Sequence, residues 1–259
     1  MRWALGVEYD GSGFVGWETQ RNGPSVQAAV EEALARVAAH PVATVCAGRT
    51  DSGVHAWEQV VHFDTAVSRS PRSWTLGANA NLPAGISVLW ARQVSDDFNA
   101  RFSALSRRYR YLIYNRPIRL ANLRRRMTWW RRPLDVEAMR RAAVHLLGEH
   151  DFSAFRASGC QARTPVRTVS RLDVERTGEV VSLDVEANAF LHHMVRNIAG
   201  VLMAVGSGRF PPHWARQVLE GRDRRLGGVT APPTGLYLYA VRYPEKYHLP
   251  RVQPSPLVW

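Results

Sequence analysis

Residues 2–13 read RWALGVEYDGSG, and the interpretation of this stretch decides the fold. RWALGVEY (2–9) alternates as a strand does, and Asp10-Gly11-Ser12-Gly13 ends it with turn-forming residues. After a loop holding Trp17, Pro24-Ser25 opens a helix whose Val26, Val30, Leu34 and Val37 share one face at spacings of four, four and three. Working outward, residues 42–47 are expected as a strand, 48–56 as a loop and 60–63 as another strand. A short helix at 73–81, stopped by Pro83, and a strand at 86–94 complete the order β-α-β-β-α-β.

The second half repeats that order. Strand 109–114 precedes a helix from 135 to 147 capped by Asp135, and strands 166–175 and 180–185 turn at Thr177-Gly178. A helix from 189 to about 205 and a strand at 236–241 close the copy. Two copies of a split β-α-β unit point to an internal duplication, hence an α+β chain with lobes at 1–105 and 106–259. Residues 115–132, basic and Trp-containing, read as the linker between them. From Pro244 onward the chain carries four prolines and reads as an irregular cover on the body.

Composition narrows the function. A 259-residue chain that is 46% hydrophobic and 22% charged can bury a core without staples. It has no run of eighteen apolar residues and no signal-like N-terminus, so neither a membrane span nor secretion is expected. Two cysteines, Cys46 and Cys160, lie far apart and form no metal-ligand spacing, which argues against a disulfide scaffold or zinc module and for a reducing cytoplasm. The net charge of +12 points to a polyanion, with nucleic acid first. Of the 34 basic residues only Lys246 is lysine, a skew that a GC-rich genome would also produce, so the charge matters more than the arginine preference. Clusters at 107–111 (RRYRY), 124–126 (RRR) and 129–132 (WWRR) interleave cations with aromatics, as a surface that holds phosphates and stacks bases requires.

The densest chemical signal is CAGRTDSGVHA (46–56), a loop between strands in which two glycines flank Arg49-Thr50-Asp51. A second stretch, NAFLHHMVRN (188–197), carries Arg196 among apolar residues, where a buried guanidinium needs a carboxylate partner. Asp51 is a candidate for it, and such a pair would keep the carboxylate ionised as a nucleophile.

These residues resemble the bacterial tRNA pseudouridine synthase A family. The resemblance runs through EYDGSGFVGW (8–17), SVQ (25–27), CAGRTDSGVHA (46–56), QVVHF (59–63), NANLP (79–83), DDFNARFSA (96–104), RRYRYLIYN (107–115), FSAFRA (152–157), RTPVR (163–167), NAFLHHMVRNIAG (188–200) and GLYL (235–238). It implies two ferredoxin-like halves joined in one continuous curved sheet around a basic catalytic cleft. It also implies isomerisation of uridine to pseudouridine in the tRNA anticodon stem-loop, at tRNA positions 38, 39 and 40, by a homodimer that uses no metal and no cofactor. Asp51 is then the nucleophile, attacking C6 or C1′, and Arg49 helps fill the space left by the flipped uridine. Arg196 pairs with the aspartate. Tyr109 stacks on the uracil and assists proton removal at C5, Leu236 is an apolar contact against the base, and Arg107 and Arg108 of the same RRYRY run are expected to bind substrate. Extraction of the base from its stack into a water-poor pocket accounts for these residue types.

Two positions depart from the family pattern: Ser52 stands where alanine is frequent, and Glu58 where glycine is common, with its side chain expected to point outward. Two rival readings exist. A metal hydrolase would draw on His55, His62, Asp51, Asp64 or His192-His193, but adjacent residues on a helix diverge by about 100°, so the two histidines would not share an ion. A noncatalytic RNA-binding or RNA-chaperone protein accounts equally for the charge, yet gives no reason for the paired Arg and Asp motifs.

Overall fold

A computed structural model describes residues 1–250. The fold is α+β, in two units: Met1–Ser106 together with the described residues from Tyr237 onward, and Arg107–Leu236. In the first unit the elements are β1 (Arg2–Tyr9), α1 (Val26–Ala38), β2 (Val45–Cys46), β3 (His55–Asp64), α2 (Pro71–Asn79) and β4 (Ile86–Val94). β1 lies between β3 and β4, antiparallel to both, with Leu5 opposite Val61 and Ala91. Its residues are buried on both faces, which is why RWALGVEY alternates imperfectly. On one face α2 sets Trp74 against Trp3 and Phe63, with ring centroids 6.0 and 5.0 Å apart. Trp74 is fully buried, and truncating such a side chain costs roughly 3–5 kcal/mol. On the other face Ala4, Val60 and Trp90 pack with Phe98, Ala100 and Tyr247.

Helix starts follow capping chemistry. Ser25 caps α1 through the Ala28 N–H, and Ser70 caps α2 with Pro71 in the first turn. The strand expected at 42–47 shortens to Val45–Cys46, because the Thr44 N–H and hydroxyl both donate to Glu31 Oε1 of α1, at 2.8 and 2.9 Å.

The second unit holds β5 (Ser106–Asn115), β6 (Thr128–Trp130), α3 (Val136–Val144), β7 (Gly148–Asp151), β8 (Val166–Thr177), β9 (Val180–Ala187), α4 (Met194–Gly206) and α5 (Trp214–Gly221). Its strands neighbour one another in the order β5-β9-β8-β7, with β6 parallel to β5. The order β5-β9-β8 repeats β1-β3-β2 of the first unit, in agreement with a duplication. The segment read as a linker is therefore a strand at its end: Ile113 faces Thr128, and the Asn115 amide donates to the Trp130 and Arg132 carbonyls. Strand β7 and helix α5 were not legible at all.

Strand β10 (Leu236–Arg242) pairs in parallel with β3, Tyr237 to His55 and Leu238 to Ala56. The described residues from Tyr237 onward, expected in the second lobe, thus group with the first unit. Side chains reinforce the pairing, since the Tyr237 ring is stacked between His55 at 4.6 Å and Trp57 at 4.8 Å. The same pairing accounts for β3 beginning at His55 rather than 60. The tail then makes one helical turn, Glu245–Tyr247, with Tyr247 buried and Lys246 Nζ 2.7 Å from Asp97. Of the expected cover, residues 251–259 lie outside the described residues. Among the described residues no helix is long and apolar enough to cross a membrane.

Candidate active site

In the first unit the loop of residues 47–54 hangs on bonds from motifs elsewhere in the sequence. Ala47 N–H donates to Val60 O, and the fully buried Gln59 amide donates to Gly48 O at 2.6 Å. Tyr9 and Thr50 hydroxyls are 2.8 Å apart, Trp17 N–H donates to Thr50 O, and Asp51 forms a bridge with Gly16. Val54 N–H closes the turn on Asp51 O at 3.1 Å. EYDGSGFVGW is therefore the mount of the Asp51 loop, and QVVHF supplies its clamp. Arg49 Nη2 lies 2.6 Å from Glu18 Oε1, both half-exposed, a pairing that the motif spacing did not reveal.

Gly11 allows the two loops to touch, since a Cβ there would stand 2.0 Å from the Val54 carbonyl oxygen. Gly11→Ala is expected to cost about 1–3 kcal/mol and lower Tm by several degrees. Calorimetry on the variant checks this, and an unchanged Tm would mean that the contact yields without cost.

Glu58 does not point outward. It is 4% exposed and accepts the Trp90 indole N–H at 2.9 Å, because Trp90 lies across Gly6, where any side chain would collide with the indole. A buried carboxylate bonded this way belongs to the core rather than to the solvated face that sequence suggested.

Burial pushes the Cys46 thiol up to about 12, so at neutral pH it adds no charge beside the loop. Cys160 is the opposite case. Partial burial raises it, but N–H donors from His192 and Ala162 and the Arg156 guanidinium outweigh that and hold it below the usual thiol range. At pH 8 iodoacetamide should modify Cys160 first and leave Cys46 of the folded protein intact, as peptide mass spectrometry can read. Equal labelling would contradict these environments.

In the second unit RRYRY lies on β5 with alternating faces. Arg107, Tyr109 and Tyr111 are buried on one face, while Arg108 and Arg110 on the other both bond to the buried Asp184 of β9. Arg110 stands directly opposite Asp184 in the register, so this charge cluster has a cross-strand role that the sequence did not show. Arg107 Nη1 donates to Asn188 O at 3.0 Å, and Tyr109 packs edge-on to Phe190 at 4.9 Å. Tyr111, fully buried, donates to Pro232 O and meets the Thr128 hydroxyl. NAFLHHMVRN therefore supports the β5 face, as well as carrying Arg196.

Arg196 sits in the first turn of α4 and is tied to residue 231 twice, through its Nε to Ala231 O at 2.9 Å and through Ala231 N–H to its own carbonyl. The next residue, Asn197, is fully buried and bonds to Phe155 O, Arg224 and Thr230. Leu236, 5% exposed, opens β10.

The histidines differ from expectation. Helix α4 begins at Met194, not 189, because Asn188 Oδ1 takes the Thr168 and Ala189 N–H groups and His193 is left-handed at φ 62°. His192 and His193 therefore precede the helix with rings 4.0 Å apart, and the 100° divergence expected of them does not apply. His55 Nδ1 accepts the Gly11 N–H and His62 Nδ1 accepts the Ala100 N–H, both within the core.

A family model described as tRNA pseudouridine synthase matches residues 6–103 and 142–244. The chain is 56% identical over its full length to the whole of a tRNA pseudouridine synthase A of Nitrosococcus oceani. It is 59% identical to proteins of the same name from Pseudomonas aeruginosa, over 96% of this chain and 88% of the relative, and Methylococcus capsulatus, over 97% and 93%.

Proposed function

The chain belongs to the tRNA pseudouridine synthase family, and from that premise we propose that it isomerises uridines 38, 39 and 40 in the anticodon stem-loop of tRNA. The activity is that of an isomerase acting on tRNA, and the noncatalytic reading is not favoured. The C1′–N1 bond breaks, a C1′–C5 bond forms, the C5 proton leaves to solvent and N1 gains a proton. Atoms balance without oxidant or reductant.

The observation that carries the assignment of roles is the mounting of the Asp51 loop by Gly16, Trp17 and Gln59, since a nucleophile needs a fixed position more than a flexible reach. Asp51 adds to C6 or C1′, and Arg196, tethered to Ala231, pairs with its carboxylate. Tyr109 lies against the extracted uracil, with Phe190 at its edge, and assists loss of the C5 proton, while Leu236 gives an apolar contact to the base. Arg49 occupies the space left by the flipped nucleotide, which requires it to leave Glu18. Arg107 and Arg108 supply positive charge for the RNA backbone. The enzyme works in the cytoplasm as a homodimer on one tRNA.

The test is to map pseudouridine in tRNA from cells with and without the protein. Loss confined to positions 38–40 is expected. Loss at another site would keep the activity and overturn the positions.

A further inference from the structure

Phe102 is 78% exposed, yet the chain on either side of it is among the best anchored in the first unit. Phe98 and Ala100 are fully buried, with Phe98 packed between the Tyr243 and Tyr247 rings at 5.1 and 4.9 Å. Asn99 Oδ1 accepts the N–H groups of both Arg101 and Phe102, and the Ser103 N–H returns to Asn99 O at 2.8 Å. The Ala100 N–H donates to His62 Nδ1, Ala100 O accepts the Tyr243 hydroxyl at 2.6 Å, and the Leu105 N–H reaches Arg242 O. A single exposed apolar side chain is ordinary on a protein surface. One held by a loop with this many bonds is less so.

The Arg101 guanidinium lies 5.4 Å from the Phe102 ring centroid, so a cation and an exposed aromatic face are presented together on a chain of net charge +12. We propose that Phe102 is a stacking platform for an unpaired base of the tRNA, with Arg101 directed to the neighbouring backbone. The inference rests on the tRNA reading above and adds a contact residue to it. The anchoring of the loop supplies the reason: a backbone already fixed in place loses little conformational freedom when a base stacks on the ring it carries. Every base has a π-face, so the contact adds affinity without reading sequence.

Binding of an unmodified tRNA transcript to the full chain tests this, with four variants compared at several salt concentrations. Phe102→Ala should weaken binding about 10- to 100-fold, with the log–log salt slope and Tm of wild type. Phe102→Trp should stay within about threefold of wild type, whereas Phe102→Leu, apolar but without a π-face, should behave as the alanine variant. Arg101→Ala should reduce the magnitude of the salt slope by about one. Wild-type affinity in Phe102→Ala overturns the proposal, and so does recovery in Phe102→Leu, which would instead indicate an apolar contact with the tRNA that needs no π-face. Pseudouridine formation by the wild-type protein in the same transcript is read alongside. If it is missing, the tRNA-isomerase reading fails, and the affinity series still decides whether Phe102 stacks on RNA.

Discussion

Asp51→Asn should reduce pseudouridine formation to background while changing tRNA affinity by no more than about threefold. The carboxamide keeps the shape of the side chain but cannot attack carbon. The fold of the loop should survive, because Gly16, Trp17 and Val54 hold the chain at Thr50 and Asp51 through backbone atoms. Nucleoside analysis after a single turnover, beside a filter-binding titration, separates the two effects. Turnover above background, in protein free of contaminating wild type, would remove Asp51 from the role of nucleophile. A large loss of affinity with the loop intact would instead make Asp51 a binding residue.

Tyr109→Ala should cost roughly 1–3 kcal/mol of base contact and nearly all catalysis, yet leave the salt dependence of tRNA binding as in wild type. The expectation comes from its position: Tyr109 is 8% exposed and on the β5 face opposite Arg108 and Arg110, so it is not part of a solvated basic surface. Replacing the exposed Arg124, Arg125 and Arg126 together by alanine should do the reverse. A complex with about 6 phosphate contacts has a log–log salt slope of roughly −4 to −5, and the triple variant should flatten it for any tRNA. Tyr109→Phe divides the tyrosine's role further, since it keeps the ring against Phe190 and loses only the hydroxyl. Normal binding with slow turnover assigns the hydroxyl to proton transfer at C5. A wild-type rate leaves a stacking platform. If Tyr109→Ala alters the salt slope as the triple arginine variant does, the residue belongs to the general binding surface.

Much of the fold was legible because local chemistry and tertiary structure agree there. Strand β1, helix α1 with its Ser25 cap, helix α3 with its Asp135 cap and the β8–β9 hairpin all follow from periodicity and capping. What was missed depends on partners distant in sequence. Strand β6 exists because Ile113 and its neighbours offer an edge to Thr128–Trp130, and the early start of β3 belongs with the return of Tyr237 beside His55. Glu58 was misplaced because nothing local announces that Trp90 reaches across Gly6 to bond it. The motif around Asp51 could be read as chemistry, but its mount could not: Tyr9, Trp17 and Gln59 reach the loop from positions up to about forty residues away. Arg108 shows the converse. A cation in a basic run reads as substrate contact, and its bond to Asp184, diagonally across from it on β9, appears only when β5 and β9 are paired.

The most direct measurement is tritium release from tRNA carrying 5-tritiated uridine, because moving the glycosidic bond to C5 must expel the hydrogen there and binding alone cannot. Purified wild-type protein should release tritium into water in step with pseudouridine formed, and Asp51→Asn should release none. Tight binding of the same tRNA by wild-type protein, with all tritium retained, would contradict the assignment of this chain as a working synthase.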